Sequence, residues 1–419
     1  MKIAQNREAC DAQHQGAVVR KGWQVKTIGD VCEVMNGGTP KSGVPEYWNG
    51  IHRWITPAEM GKRLSPYVSD TARKITDQGL RDSSARMLPP NSVILSSRAP
   101  IGHLVINTEP MGTNQGCKGL IPGSSIETKF LYYYLSSIVD LLNSLGTGAT
   151  FKELAGSKLK EVIVPVPPLA EQHRIVAILD EAFESIAIAK ANTEKNLQNA
   201  RVLFESHLES IFTERGEGWV VTTLGAEIDL LVGFAFKSEK YSIRDDDIPL
   251  LRGDNIVQGC LRWNDVKRWP RHDTAAYERY WLREADVVLA MDRPWVKAGL
   301  KHAAITFDDL PCLLVQRTAC IRCKPSLNPR FLVYLIRGSA FTRHILGVQT
   351  GIGVPHISGQ QIKDFVYAMP AVVDQKRIAQ KLDALAAEIR NLESLYQQKL
   401  TALDDLKKSL LHQAFSGAL

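Results

Sequence analysis

Two long stretches of the chain carry apolar residues at alternating spacings of three and four. In the later one these are Ile378, Leu382, Leu385, Ile389, Leu392, Tyr396, Leu403, Leu406 and Leu410, with Lys399 as the single break. That period predicts an amphipathic helix with a narrow coiled-coil seam. The earlier stretch shows the same stripe at Ile175, Leu179, Ala182, Ile186, Ala189, Thr193, Asn196, Ala200, Leu203 and His207, each 203 residues earlier (375 − 172 for the matching glutamines). Its knobs are small where the later ones are large, so the two helices are expected to pair with each other. Polar Asn196 and Lys399 occupy matching positions and are expected to fix the register. Both helices begin after proline, at Pro167 and Pro168 or at Pro370, with Glu171 or Asp374 in the first turn, where an acid suits the helix N-terminus. About 45 residues at 1.5 Å each make a rod of roughly 65 Å.

Before each of these stretches the pattern differs. Short β-branched runs such as "EVIVPVP", "SVILSS", "DVVLAM" and "CLLVQRTACIRC" are separated by Gly and Pro, which predicts short strands joined by loops. One helix is expected at "TKFLYYYLSSIVDLL" and another at "PRFLVYLIRGSAF".

The second half repeats the first. "GWQVKTIGDV" from Gly22 matches "GWVVTTLGAE" from Gly218, pairing Trp23 with Trp219 and Gly29 with Gly225 (219 − 23 = 196). The same offset sets "NGGTPKS" over "VGFAFKS". Further on, "VILSSRAP" lies over "VLAMDRPW" with Arg98 on Arg293 (offset 195), Gln115 on Gln316 and Phe130 on Phe331 (201), and Gln172 on Gln375 (203). The ordered drift is that of a duplicated domain with loop insertions. "VPVPPLAEQHRI" and "YAMPAVVDQKRI" mark where each strand-rich part passes into its long helix. The expected domains are an N-terminal extension at 1–20, globular parts at 21–168 and 216–370, and spacer helices at 169–215 and 371–419.

Length and composition fit this division: 419 residues exceed one ordinary core. The formal charge of +6 permits an anionic partner without requiring one. No apolar run approaches the roughly 18 residues of a membrane helix, and no secretory leader is evident, so a cytoplasmic protein with its seven cysteines reduced is expected.

Catalytic signatures are missing. There is no glycine-rich loop ending in Gly-Lys-Ser/Thr, no Asp/Asn-Pro-Pro-aromatic loop, and no carboxylate pair followed by Glu-x-Lys. No catalytic residue is assigned. Cys312, Cys320 and Cys323 with His302 are residue types that bind zinc, but the odd spacing from Cys320 to Cys323 puts those two on opposite faces of a strand. They are read as buried thiols, His356 as a loop histidine, and no metal is expected. The chemistry that remains suits DNA: Lys41, Arg53, Arg98 and Lys118 in the first half, and Lys237, Arg252, Arg293, Lys297 and Arg317 in the second, can reach phosphate or guanine edges. Asn114, Gln115, Asn255 and Gln316 have the amide chemistry that reads adenine.

The ordered motifs, "W-x-V-x-x-x-G" at Trp23 and Trp219, "PPLAEQHRI" with "PAVVDQKRI", and long helices ending in "LESIF" and "LHQAF", resemble the specificity subunit of type I restriction-modification systems over nearly the whole chain. The resemblance implies an α/β (α+β) fold: two globular target recognition domains in pseudo-two-fold repeat, separated by two long antiparallel coiled-coil helices. It also implies a non-catalytic subunit that reads a two-part sequence in double-stranded DNA. The implied partners are two methyltransferase subunits, which bind S-adenosylmethionine, and a motor-nuclease subunit; this chain is expected to need no cofactor. To Gln172, Arg174, Gln375 and Arg377 it carries only a role in helix and partner packing. Two other readings stay open on the residues alone: a stand-alone DNA-modifying or DNA-cleaving enzyme with duplicated DNA-binding halves, and a scaffold that binds proteins through its coil.

Overall fold

A computed structural model of the chain describes residues 22–148, 152–214, 216–351 and 353–419; the expected extension at 1–20 lies outside them. The fold mixes short strands with helices, two of which are long: α1, Leu169–Thr213, and α2, Val372–Ser416. The chain divides into two compact units, one made of the described part of Met1–Thr193 with Gln398–Leu419, the other of Glu194–Gln397. The division thus falls inside both long helices, whereas the strand-rich parts end where α1 and α2 begin.

In the first unit Gln24–Thr27 pairs antiparallel with Ile163–Val166, closing the beginning of the globular part onto its end. A five-stranded sheet runs in the order Cys32–Asn36, Cys117–Pro122, Val93–Ser97, Ile101–Asn107, Tyr67–Val68. A four-stranded sheet orders Arg73–Ile75, Trp48–Ile55, Met111–Thr113 and Met87–Leu88. The larger sheet packs on the Thr128–Ser137 helix, which buries Phe130, Leu131, Tyr134 and Leu135 in one cluster with Ile175 and Leu179 of α1 and with Leu411 and Ala414 of α2.

The second unit repeats the plan. Val220–Thr223 pairs with Val366–Met369, and a four-stranded sheet orders Ile228–Val232, Thr318–Cys323, Val287–Ala290 and His302–Ala304. Even the parallel ladder recurs: Trp54 and Ile55 face Gly112 and Thr113 in the first unit, as Leu250 and Leu251 face Leu313 and Leu314 in the second. The second unit also has a separate two-stranded ribbon, Trp295–Val296 with Gly299–Leu300.

Strand register corrects one expected equivalence. Leu120 faces Val93 in the first unit, and Ile321 faces Val287 in the second. The matching offset at this strand is therefore 287 − 93 = 194, not 195. Because successive strand residues point to opposite faces, a slip of one exchanges the faces. Arg98 consequently corresponds to Asp292, and Arg293 to Ala99. Backbone conformation agrees: Ala99 has φ +50° and Arg293 φ +46°, while Arg98 bridges Glu153 as Asp292 bridges His356.

Within each unit the segments of α1 and α2 run antiparallel or share one core. In the first, Lys190 meets Asp404 while Arg174 reaches the carbonyl of Leu419 at 2.8 Å. In the second, Arg201 binds Glu393 at 2.6 Å, and Ala200 lies in the cluster that holds Ile389. The α1 stripe holds through Ile175, Leu179, Ile186, Thr193 and Ala200, but departs from the expected positions at Asn196 and beyond Ala200. Ala200, Phe204 and Leu208 are buried, whereas Asn196 and His207 are exposed and Leu203 is 60% exposed. Lys399 is exposed too, with its neighbour Leu400 half-buried. Asn196 and Lys399 therefore stand outside the seam and do not fix its register.

Candidate nucleic-acid interface

The repeated glutamines anchor the helices. Gln172 is fully buried: its Oε1 accepts from the Glu127 amide at 2.8 Å, and its Nε2 donates to the carbonyls of Ser125 at 3.0 Å and Pro167 at 2.8 Å. Gln375, also fully buried, accepts from the Asn328 amide at 2.7 Å and donates to Ser326 at 3.0 Å and Pro370 at 2.9 Å. One side chain in each unit thus satisfies three backbone groups that burial would otherwise orphan. It fixes the start of the long helix against the loop before the shorter helix.

About two turns of α1 and of α2 further on, a carboxylate repeats the device. Asp180 accepts from Lys129 at 2.7 Å and from the Tyr133 hydroxyl; Asp383 accepts from Arg330 and from the Tyr334 hydroxyl at 2.6 Å. Burial, with the facing carboxylate, pushes both phenols well above the ordinary tyrosine value, so they remain donors at any physiological pH. The far helix ends join the same cores: Phe415 packs edge-on against Phe130 and Tyr134 in the first unit, and Phe212 lies against Phe331 in the second. Each globular part therefore takes the start of one long helix and the end of the other.

This scaffold presents the loops in which the candidate DNA residues lie. In the first unit Arg98, Asn114, Gln115 and Lys118 gather around the turn between Met111–Thr113 and Cys117–Pro122. Arg98 and Lys118 approach the same carboxylate, Glu153, at 3.8 and 3.9 Å. Lys118 is only 5% exposed, and burial pulls its ammonium below the ordinary lysine value. It is corrected from a DNA-facing residue to a buried one. The Asn114 Oδ1 accepts from the Gly116 amide at 2.9 Å, holding the turn, while exposed Gln115 is linked to Thr39. Lys41 is exposed, with its carbonyl accepting from the Trp48 indole at 3.2 Å. Arg53 stands apart, half-buried between Asp70 at 3.4 Å and Glu109 at 3.9 Å.

In the second unit Arg293, Gln316 and Arg317 come together through the backbone: the Met291 amide donates to the Arg317 carbonyl at 2.9 Å and the Arg293 amide to Pro355 at 2.7 Å. All three are exposed, and Arg317 lies 3.6 Å from Asp292, which also binds the His356 ring at 2.5 Å. Lys297 is exposed in the link of the ribbon, and Lys237 is exposed in a separate loop. Arg252 is half-buried against Asp254 at 3.1 Å. Asn255 is 4% exposed and holds its own loop, its Oδ1 accepting from the Arg252 amide and its Nδ2 donating to the Arg262 carbonyl, both at 3.0 Å. Its amide is spent on the fold, so it too is corrected from adenine reader to loop brace.

Cys312, Cys320 and Cys323 sit among apolar neighbours. Cys312 and Cys320 share one cluster and Cys323 packs against another, with the Cys312 and Cys323 thiols pushed up to about 12 by burial. Sequence reasoning passed over the Trp295–Leu300 ribbon. Its signal was present in two apolar residues, a Lys-Ala link and Gly299, which takes φ +120°. Among the described residues no helix is long and apolar enough to cross a membrane.

Comparison with known proteins agrees with this architecture. The type I restriction modification DNA specificity domain matches residues 20–199. The type I restriction enzyme MjaIX specificity subunit of Methanocaldococcus jannaschii is 26% identical over 421 residues, covering 96% of this chain and 94% of that one. A chain from work on complex assembly and conformational transition of the type I R-M system superposes with a TM-score of 0.77 at 18% identity, covering 96% of this chain and 99% of that one. The HsdS subunit of Thermoanaerobacter tengcongensis superposes with a TM-score of 0.62 at 17% identity, over 96% and 98%. The two superpositions concern the fold, and the sequence likeness extends over almost the full length. Residues 20–199 thus match the type I restriction modification DNA specificity domain, and the chain over nearly its whole length is similar to specificity subunits of type I restriction enzymes.

Proposed function

We propose that this chain reads a two-part sequence in double-stranded DNA, one part through each unit, and that it docks two methyltransferase subunits and a motor-nuclease subunit that perform the chemistry. The observation that carries this reading is the duplication: two units whose main sheets share a four-strand order, with the same parallel ladder and the same buried glutamine at the start of a long helix. A duplicated reader suits a target with two half-sites, and a pair of helices of fixed length suits a fixed gap between them. The exposed cations and amides of each unit, Lys41 and Gln115 in one, Lys237, Arg293, Lys297, Gln316 and Arg317 in the other, supply phosphate positioning and base-edge chemistry. S-adenosylmethionine belongs, in this reading, to the methyltransferase partners, and the assembly works on DNA in the cytoplasm.

The test is methylome sequencing of cells that express the chain with its methyltransferase. A single interrupted motif is expected, and the purified chain alone should neither cleave nor methylate DNA when given magnesium or S-adenosylmethionine. An uninterrupted motif, or product from the chain alone, would overturn the reading.

A further inference from the structure

Among the described residues the second unit carries an element that the first lacks. Val93 faces Ile106 in the first unit, and Val287 faces Ala304 in the second, so the connected stretch is 13 residues in one (106 − 93) and 17 in the other (304 − 287). The four additional residues build the ribbon, in which Trp295 faces Leu300 and Val296 faces Gly299. The Lys301 amide closes its base on the Pro294 carbonyl at 2.8 Å.

An isolated two-stranded ribbon ordinarily buries its large side chains against something. Here Trp295 and Val296 remain 42% and 37% exposed. Beneath the ribbon lies a groove of roughly 760 Å³, lined by Trp295, Leu300, His302, Glu205 and Glu209 among others. The acids on that side are already engaged, Glu205 by Arg337 and Glu209 by Ser339 and Arg343. Among the described residues Lys297 at the tip and Arg293 at the base have no ion-pair partner, and exposed Arg317 lies beside that base. An apolar ribbon flanked by unpaired cations fits a polyanion with apolar surface between its charges. Duplex DNA has that character, and its major groove admits a two-stranded ribbon.

We propose that the Trp295–Leu300 ribbon enters the major groove of the half-site read by the second unit, with Trp295 and Val296 on base edges and Lys297 on a phosphate. The proposal rests on the DNA-reading function stated above and assigns it a specificity-determining element. Because the described residues of the first unit hold no such ribbon between Val93 and Ile106, the two half-sites are read by different means.

The experiment uses the full chain assembled with its methyltransferase subunits and a duplex that carries the motif found in the methylome. Replacing Trp295→Ala together with Val296→Ala should weaken binding by about tenfold or more and relax base preference in one half-site only. Lys297→Ala should weaken target and unrelated duplexes alike and lower the salt slope by about one. Trp295→Phe should retain most of the affinity. The proposal is overturned if the double variant binds within about twofold of the original and methylates the same motif. It is equally overturned if both half-sites are lost together and Trp295→Phe fails as alanine does, since that is the mark of a damaged fold. If the unaltered assembly shows no sequence preference, the DNA-reading function itself has failed, a result that the variants are not needed to see.

Discussion

Replacing Gln172 with Met keeps the length and nearly the shape of the side chain while removing its amide. Three groups then lose their partner: the Glu127 N–H and the carbonyls of Ser125 and Pro167. A hydrogen bond contributes about 1 kcal/mol net, and an orphaned buried group costs about 1 to 3 kcal/mol, so a loss of about 3 kcal/mol or more is expected. For a unit of this size that corresponds to a fall in melting temperature of about 6 to 12 °C. The damage should be confined to the first unit, because Gln375 performs the same task separately in the second. Hydrogen exchange resolved by peptide reads this directly, with the Glu127 amide and the start of α1 losing protection while the segment around Asn328 keeps its own. The reasoning is refuted if Gln172→Met exchanges and melts like the original chain, for the amide would then contribute no more than methionine's contacts.

Three other outcomes follow from particular side chains. Phe204→Ala should destabilise the second unit by about 3 to 5 kcal/mol, whereas Leu203→Ala, at the neighbouring exposed position, should change it by less than about 0.5 kcal/mol in urea titration. Tyr334→Phe removes the hydroxyl bound to Asp383 and should cost about 1 kcal/mol by the same assay. In the native chain a thiol reagent at mildly alkaline pH should label exposed Cys260 and spare Cys32, Cys117 and Cys312, whose thiols burial pushes up to about 12. For these buried thiols the unfolded chain ionises first, so their effect on stability is absent below the ordinary thiol value of 9.0 and increasingly unfavourable from there to about 12. Mass spectrometry of the labelled peptides and urea titration across that pH range check the two statements.

The broad plan was legible because its signals are long or repeated. A stripe sustained over many turns identifies a helix without help from its neighbours, and a duplicated motif marks a boundary twice. Single residues were harder. Leu203 and Phe204 are adjacent and both apolar, so the stripe could be continued through either, and packing in the second unit selects Phe204. Arg98 and Arg293 align by eye, but strand pairing places them one residue apart, and in a strand one residue is the opposite face. Lys118 and Asn255 have side chains that usually face water; their burial follows from Glu153 and from the carbonyl of Arg262, partners distant enough in sequence or irregular enough in position to leave no periodic trace. The glutamine staples fared better in part: the repeat singled out Gln172 and Gln375, while their three backbone partners emerged only in the fold.

The central claim is that the paired helices set the gap between two half-sites. One additional heptad in each helix, inserted after Ala200 in α1 and after Glu393 in α2, adds about 10 Å while preserving the facing seam, which corresponds to about three base pairs at 3.4 Å each. Methylome sequencing of cells expressing this variant with its methyltransferase should return the same two half-sites separated by about three more base pairs. The original gap, methylated as efficiently as before, would contradict the account.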